Sequence, residues 1–279
     1  FTVEEVVSDG GRVTGIRGHA ARGASALERA RVVVGADGRH SRVAAAVQAE
    51  TYNERPAYEA VYYAYWSGVP TDGFEVHIRP DRAMAALPTH DGLTLVLVGW
   101  PIAELEANRA DVAGNYLKTL ELVPEFAARV TGGRRETRLF GTGDLPGFFR
   151  RPYGPGWALV GDAGYHKDPC TAQGISDAFR DAELLAGALD DALSGRRPYD
   201  EAMAAYQRLR DEHVLPMFEL TCNLATMEPP PPELQQLLGA AVGNQEAMNA
   251  FVRKMAGVLP VPEFFAPEHV GRIMAGATG

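Results

Sequence analysis

Apolar and polar positions alternate over residues 2–7, 12–20 and 27–34, which predicts three short strands. Asp9-Gly10-Gly11 turns the first into the second, and Arg22-Gly23-Ala24-Ser25 turns the second into the third. Ala30–Val34, apolar but for Arg31, closes the third strand and is expected to be buried on both faces. The loop Gly35-Ala36-Asp37-Gly38-Arg39-His40-Ser41-Arg42 follows, and then a short helix near 41–47, with Ser41 as its N-cap. Alternation returns over Tyr58–Trp66, Gly73–Arg79, Ala83–Pro88 and Leu93–Trp100, separated by Gly, Pro and Asp turns, so an antiparallel sheet is expected. A helix is predicted over Asp111–Leu122 and a strand over Thr137–Phe140. Residues 140–147 hold scattered glycines, but Pro146 stops a helix from opening there, so they read as a turn.

Trp157–Val160 reads as a buried strand. Ile175, Ala178, Phe179, Ala182, Leu185 and Leu189 recur at helical spacing, so a long helix should run from Gly174 to about Gly195. A second is expected from Tyr199 to Leu215, where Pro216 should break or kink it. Pro229–Pro232 reads as a stiff extended spacer, and the last 45 residues as one or two short helices with a Gly/Pro-rich tail.

Composition narrows the class. The chain has 279 residues, 46% of them hydrophobic, enough for one large domain or two smaller ones. A net charge of −9 disfavours nucleic acid or an anionic membrane as the main partner. Two cysteines, Cys170 and Cys222, make no disulfide framework, so a reducing, cytoplasmic compartment is expected. No apolar run approaches the length of a membrane span. His77, His90 and His213 lie far apart and the cysteines lack CxxC spacing, so no metal site is expected.

The chemistry concentrates in Trp157–Leu189. A buried strand ends in Gly161-Asp162-Ala163, an irregular loop carries Pro169, and a helix opens at Gly174. Small residues let a ligand approach the backbone. Asp162 can accept hydrogen bonds from ligand hydroxyls, and the free N–H groups at Gly174 and Ile175, with the helix dipole behind them, favour negative charge. A ligand with a polyol chain and a ring that turns anionic on reduction would use all three. The alternative is a plain strand–loop–helix connection.

Two segments together resemble the flavoprotein monooxygenases of the p-hydroxybenzoate hydroxylase type, also called class A. Gly161, Asp162, Ala163, Pro169 and Gly174 match the family's GDAxHxxxPxxGxG stretch, and Asp181-Ala182 its later Asp-Ala. Gly35, Ala36, Asp37, Gly38, Ser41 and Arg42 resemble its GADGxxSxVR loop, with Arg42-Val43 in reversed order. Tyr165 stands where the family has His, with His166 next to it; Ala172 replaces a glycine and Ser176 an asparagine. The likeness spans roughly residues 1–215. The family's strand–GxGxxG–helix opening does not occur, and the expectation is that it lies outside this sequence.

The resemblance implies a mixed α/β fold: a Rossmann-like, three-layer FAD-binding domain without its first βαβ unit, an inserted antiparallel sheet for substrate, and C-terminal helices. The expected division is 1–50 and 141–225 for the FAD domain, 51–140 for the sheet domain and 226–279 for a helical extension. It implies FAD as cofactor, NAD(P)H as co-substrate, and hydroxylation or epoxidation of an apolar, aromatic or polyketide-like molecule with O₂ through a flavin C4a-hydroperoxide. A monomer or homodimer is expected. Asp37, Arg42, Gly161, Asp162, Ala163, Pro169, Gly174 and Ile175 become the cofactor-binding candidates, with no protein nucleophile required. Arg42 either meets cofactor phosphate or stays on the surface, paired with Asp37. His166 either touches flavin or substrate or is a solvated loop residue. The aromatic strand 58–66, with Tyr63 and Tyr65, is either a half-buried sheet face or the wall of a substrate pocket. The same fold also serves flavin-dependent halogenases, whose WxWxIP motif is absent here, and geranylgeranyl-type reductases. A non-catalytic remnant acting as a binding module is the alternative of another class.

Overall fold

The computed structural model describes residues 1–276. The chain opens with an antiparallel meander of β1 (Thr2–Asp9), β2 (Arg12–His19) and β3 (Ser25–Arg29). Gly10 and Gly11 take positive φ of 54° and 79°, the left-handed backbone that a two-residue hairpin turn needs. The expected third strand is two. After β3 the chain breaks at Ala30, and β4 (Val33–Gly35) joins a different sheet. Burial on both faces does not hold: Val32 and Val33 are half-buried and Val34 is 41% exposed. β4 is the edge of its three-stranded sheet, so one side lacks a neighbour among the described residues. Helix α1 (Arg42–Ala46) follows, capped by Ser41 Oγ, which accepts from Ala44 N at 2.9 Å.

β5 (Thr51–Arg55), which the pattern did not predict, pairs outside the large sheet that follows. That sheet holds β6 (Glu59–Ser67), β7 (Glu75–Arg79), β8 (Arg82–Pro88) and β9 (Leu93–Pro101), all antiparallel in the order 6-9-8-7. Helices α2 (Leu105–Asn108), α3 (Val112–Leu120) and α4 (Pro124–Gly132) come next. Only α3 was predicted, although Phe126 and Val130 carry the i, i+4 spacing of α4. α3 and α4 cover one face of the sheet. Trp66, Met84, Val96, Val98 and Trp100 pack there against Tyr116, Leu120, Phe126 and Val130. Each such side chain contributes about 1.5–3 kcal/mol of burial. The Trp100 indole donates to Thr119 Oγ1 at 2.8 Å and Tyr116 Oη to Val96 O at 3.0 Å, so the polar atoms in this core are satisfied. β10 (Arg134–Arg135) and β11 (Phe140–Thr142) return to pair with β6.

β12 (Gly147–Arg150) pairs with β5, and β13 (Tyr153–Gly154) leads by hairpin to β14 (Trp157–Leu159). β14 lies parallel to β4, and β15 (Tyr165–His166) lies against β12. Two long helices follow, α5 (Gly174–Leu193) and α6 (Tyr199–Ala225). α6 does not end at Leu215 but runs through Pro216. Proline leaves the carbonyl of Glu212 without its helical donor, and Glu212 is on the exposed side, where water can replace the bond. The C-terminal region holds four helices rather than one or two: α7 (Pro232–Ala241), α8 (Gln245–Met255), α9 (Val261–Phe264) and α10 (Pro267–Gly276), around Leu237, Phe264 and Ile273. Pro231 is extended and Pro232 opens α7, so the proline run is part spacer, part helix start. The final three residues of the expected tail lie outside the described residues.

Candidate functional site

The two motif loops leave the same ends of neighbouring parallel strands. Val33, Val34 and Gly35 of β4 face Trp157, Ala158 and Leu159 of β14, and Val160 N donates to Gly35 O at 3.0 Å. Crevices beyond the carboxyl ends of parallel strands are where α/β sheets bind ligands. Glycine is obligatory at the strand end: a Cβ on Gly35 would lie 2.8 Å from Leu159 Cδ2 and 2.9 Å from Val43 Cβ. Arg150 ties the loops together. Its Nη1 donates to Ala163 O at 2.9 Å and its Nη2 to Arg39 O at 3.1 Å, while its guanidinium stacks over Phe148. Burial lowers its pKa, against the opposing charge of Asp37. No sequence signal marked Arg150.

In the first loop Asp37 is exposed, and its Oδ2 accepts from the backbone N–H of Arg42 at 2.7 Å. The expected alternative of an Asp37–Arg42 ion pair is therefore replaced by a main-chain cap. The Arg42 side chain is exposed and has no partner among the described residues.

In the second loop Gly161 has φ +55°, and its N–H donates to Asp181 Oδ2 at 3.1 Å. Asp181 is fully buried, and burial pushes its carboxyl up to about 6. Asp162 is exposed, with no hydrogen bond or ion pair among the described residues, while Ala163 is buried. Pro169 starts a single tight turn that ends at Ala172 in left-handed conformation, φ +54°. A glycine would hold that angle without strain, which is the physical content of the family's glycine there. Gly174 opens α5, and a Cβ on it would meet nothing within 4 Å. No side chain caps this helix, because Gln173 is buried and turned toward the Met255 carbonyl. The first-turn N–H groups, Gly174 and Ile175 included, thus stay open to a ligand, and Ile175 is 76% exposed.

Lys167, unmarked in the sequence, is buried, pairs with Asp177 Oδ2 and stands 5.0 Å over the Tyr165 ring; Arg180 reaches Asp177 Oδ1 at 2.8 Å. Burial lowers the lysine's pKa, and Asp177 opposes that. From α6, fully buried Arg210 donates to Gly164 O at 3.1 Å and to Arg150 O at 3.1 Å, and Tyr206 Oη donates to Leu159 O at 2.8 Å. The second loop is thus held from behind by α5 and α6.

Tyr63 and Tyr65 lie on the sheet face opposite α3 and α4, since Tyr62, Ala64 and Trp66 point into the helix-covered core. Tyr63 stacks on Phe140 at 5.5 Å and meets Tyr65 edge-on at 6.0 Å. Opposite them in register stand Leu97 and Leu95, so this face is apolar and half-open. His166 is buried, with Nδ1 against the Pro146 carbonyl and its ring stacked on Phe148, so it is not a solvated loop residue. Among the described residues no cluster of His, Cys, Asp and Glu could hold a metal ion.

No protein-family model matches the chain. It is similar to the 3-demethoxyubiquinol 3-hydroxylase of Escherichia coli, 29% identical over 191 residues, which cover 65% of this chain and 45% of that protein. The chain therefore spans under half of that relative's length. Among solved structures, the myxobacterial chondrochloren halogenase CndH, an FAD-dependent halogenase, is 21% identical with a TM-score of 0.71, covering 98% of this chain and 68% of that one. PqsL of Pseudomonas aeruginosa, described as a probable FAD-dependent monooxygenase, is 22% identical with a TM-score of 0.61 over 92% of this chain and 65% of that one. A flavoprotein/dehydrogenase of Cytophaga hutchinsonii is 13% identical with a TM-score of 0.76 over 98% of this chain and 69% of that one. The chain thus has the mixed α/β fold shared by FAD-dependent halogenases and monooxygenases. No helix among the described residues is long and apolar enough to cross a membrane.

Proposed function

We propose that the chain belongs to an FAD-dependent, NAD(P)H-using monooxygenase of the p-hydroxybenzoate hydroxylase type, acting on an apolar, aromatic or polyketide-like molecule. The observation that carries this reading is the convergence of the two loops at adjacent parallel strand ends, bridged by Arg150. The residues fit a flavin. Among the described residues, Asp162 offers an unpartnered carboxylate to ribityl hydroxyls, the uncapped start of α5 offers N–H groups to the electron-rich end of the ring, and Arg42 offers an unpaired cation to phosphate. Flavin, when bound, supplies hydride acceptance from NAD(P)H and oxygen transfer from O₂; the protein's part is to place the ring and exclude water. The Tyr63–Tyr65 face would hold the substrate.

A halogenase is the second reading, because CndH matches the fold over 98% of this chain. Adding FAD to purified protein and following flavin absorbance in the protein fraction tests the cofactor. NAD(P)H oxidation that rises with an aromatic substrate, and does not require halide, supports the monooxygenase. Halide-dependent product would move the assignment to a halogenase, and failure to retain FAD would refute both.

A further inference from the structure

Glu59 and Asp168 are buried carboxyl groups, 3% and 5% exposed, and among the described residues neither meets a Lys, Arg or His. They come from separate parts of the fold. Glu59 begins β6 on the same sheet face as Val61, Tyr63 and Tyr65, while Asp168 stands immediately before Pro169 in the second loop. Asp168 Oδ1 accepts from Cys170 N at 2.9 Å. Its Oδ2 is buried with no hydrogen-bond partner among the described residues. The orphaned Asp168 Oδ2 and the buried Glu59 carboxyl can satisfy each other only when one of them carries a proton, because two ionised carboxylates have no donor between them. The surroundings offer no relief. A Cβ on Gly99 would sit 2.8 Å from Glu59 Oε2 and 3.0 Å from Met227 Cε, so the Gly99 backbone lies against the Glu59 carboxyl with the Met227 thioether beside it. The other titratable groups nearby are Cys170 on the loop and Cys222 on α6, with Arg55 and Glu219 beyond Cys222. Two like charges in such a place repel and lose their hydration; one proton between them removes both costs.

We propose that Glu59 and Asp168 share a single proton and serve as the acid–base pair of the flavin site, at the seam between the sheet face and the second loop. Burial first, and Asp168 second, push Glu59 up to about 9, so the proton stays through neutral pH. With one proton the pair is a monoanion. Taking a proton from a substrate hydroxyl makes it neutral; returning that proton to the oxygen that leaves as water restores the monoanion. This role rests on the flavin reading above, whereas the shared proton does not.

The test uses the purified chain with and without FAD, as wild type, Glu59→Gln and Asp168→Asn. Infrared difference spectra at neutral pH should show the carbonyl stretch of a protonated carboxylic acid in the wild type and lose it in Glu59→Gln. Raised from 4.5 toward 9, the Glu59 carboxyl contributes stability that is lost as pH rises through that range, so wild type should melt progressively lower than Glu59→Gln. Both variants should keep FAD uptake and reduction by NAD(P)H, while product formed per flavin reduced falls about 100-fold. A wild type that binds FAD but lacks the acid band overturns the pair and leaves the flavin reading standing. An acid band in a protein that takes up no FAD overturns the flavin reading, and the catalytic role with it. Unchanged product yield in both variants also overturns that role.

Discussion

At Asp181 one carboxylate has two tasks in conflict. Its Oδ2 receives the Gly161 N–H and so fixes the left-handed turn at the end of β14, while its Oδ1 is buried without a partner among the described residues. Burial outweighs the help of Arg210 and the Gly161 N–H, and the carboxyl rises from 3.8 to about 6. A raised folded pKa means stability that is fully present below the unfolded value and lost as pH rises through the folded one. A shift of that size corresponds to about 3 kcal/mol. Asp181→Asn keeps an acceptor for Gly161 and removes the titration. The variant should therefore gain stability over wild type between pH 4 and pH 6 and hold that gain above it, read as denaturant midpoints across the range. Parallel curves for the two proteins would show that Asp181 does not carry the pH dependence. The sequence marked this residue through Asp181-Ala182, but only the fold shows that it acts on Gly161, 20 positions away. Arg150 lies in a stretch with no pattern of its own, and Glu59 in an alternating strand whose period says nothing of its distant neighbours. Their roles come from strand pairing that brings separate segments together, which local periodicity does not encode.

Elements were legible where one rule dominated. The meander, the four antiparallel strands and α5 follow from alternation, turn glycines and helical spacing. Two of the misses share a cause, in that tertiary context overrode a local signal. Ala30–Val34 looked like one buried strand, yet its last residues swap to another sheet edge. Pro216 looked like a stop, yet α6 continues because Met217, Phe218, Thr221 and Cys222 are buried beyond it. The C-terminal helices hold a further conflict. Lys254 on α8 is 3% exposed, and its Nζ lies 4.3, 4.7 and 5.4 Å from the ring centroids of Phe251, Phe264 and Phe265. Desolvation lowers its pKa from 10.5 to about 8. A depressed lysine contributes stability above the unfolded pKa and loses it as pH falls through the folded one. The aromatic rings offset part of that loss, each by about 0.5–2 kcal/mol. Lys254→Met keeps the stem and removes the charge, so its melting temperature should exceed wild type at pH 7 and match it above pH 10.5. A lower melting temperature at pH 7 would show that the ring contacts outweigh desolvation.

Across the whole molecule, the C-terminal helices meet the candidate site at Gln173. Gln173 precedes the open start of α5, and its amide donates to the Met255 carbonyl at the end of α8. Gly257 closes that joint: its φ is +70°, and a Cβ on it would lie 2.8 Å from Gln173 Oε1. Gly257→Ala therefore imposes two separate effects, backbone strain of about 1–2 kcal/mol and displacement of Gln173. Gly243 separates them. It has φ +80° and nothing within 4 Å of its missing Cβ, so Gly243→Ala imposes the strain alone. If the C-terminal helices hold the start of α5 in place, both variants should lose similar stability, but only Gly257→Ala should weaken FAD binding, by about tenfold for 1.4 kcal/mol of lost positioning. Titrating each protein with FAD and following flavin fluorescence makes the comparison. Equal affinity in the two variants would mean that residues beyond 226 leave the loop's geometry untouched. A selective loss would make them part of the site that Gly161 and Gly174 build.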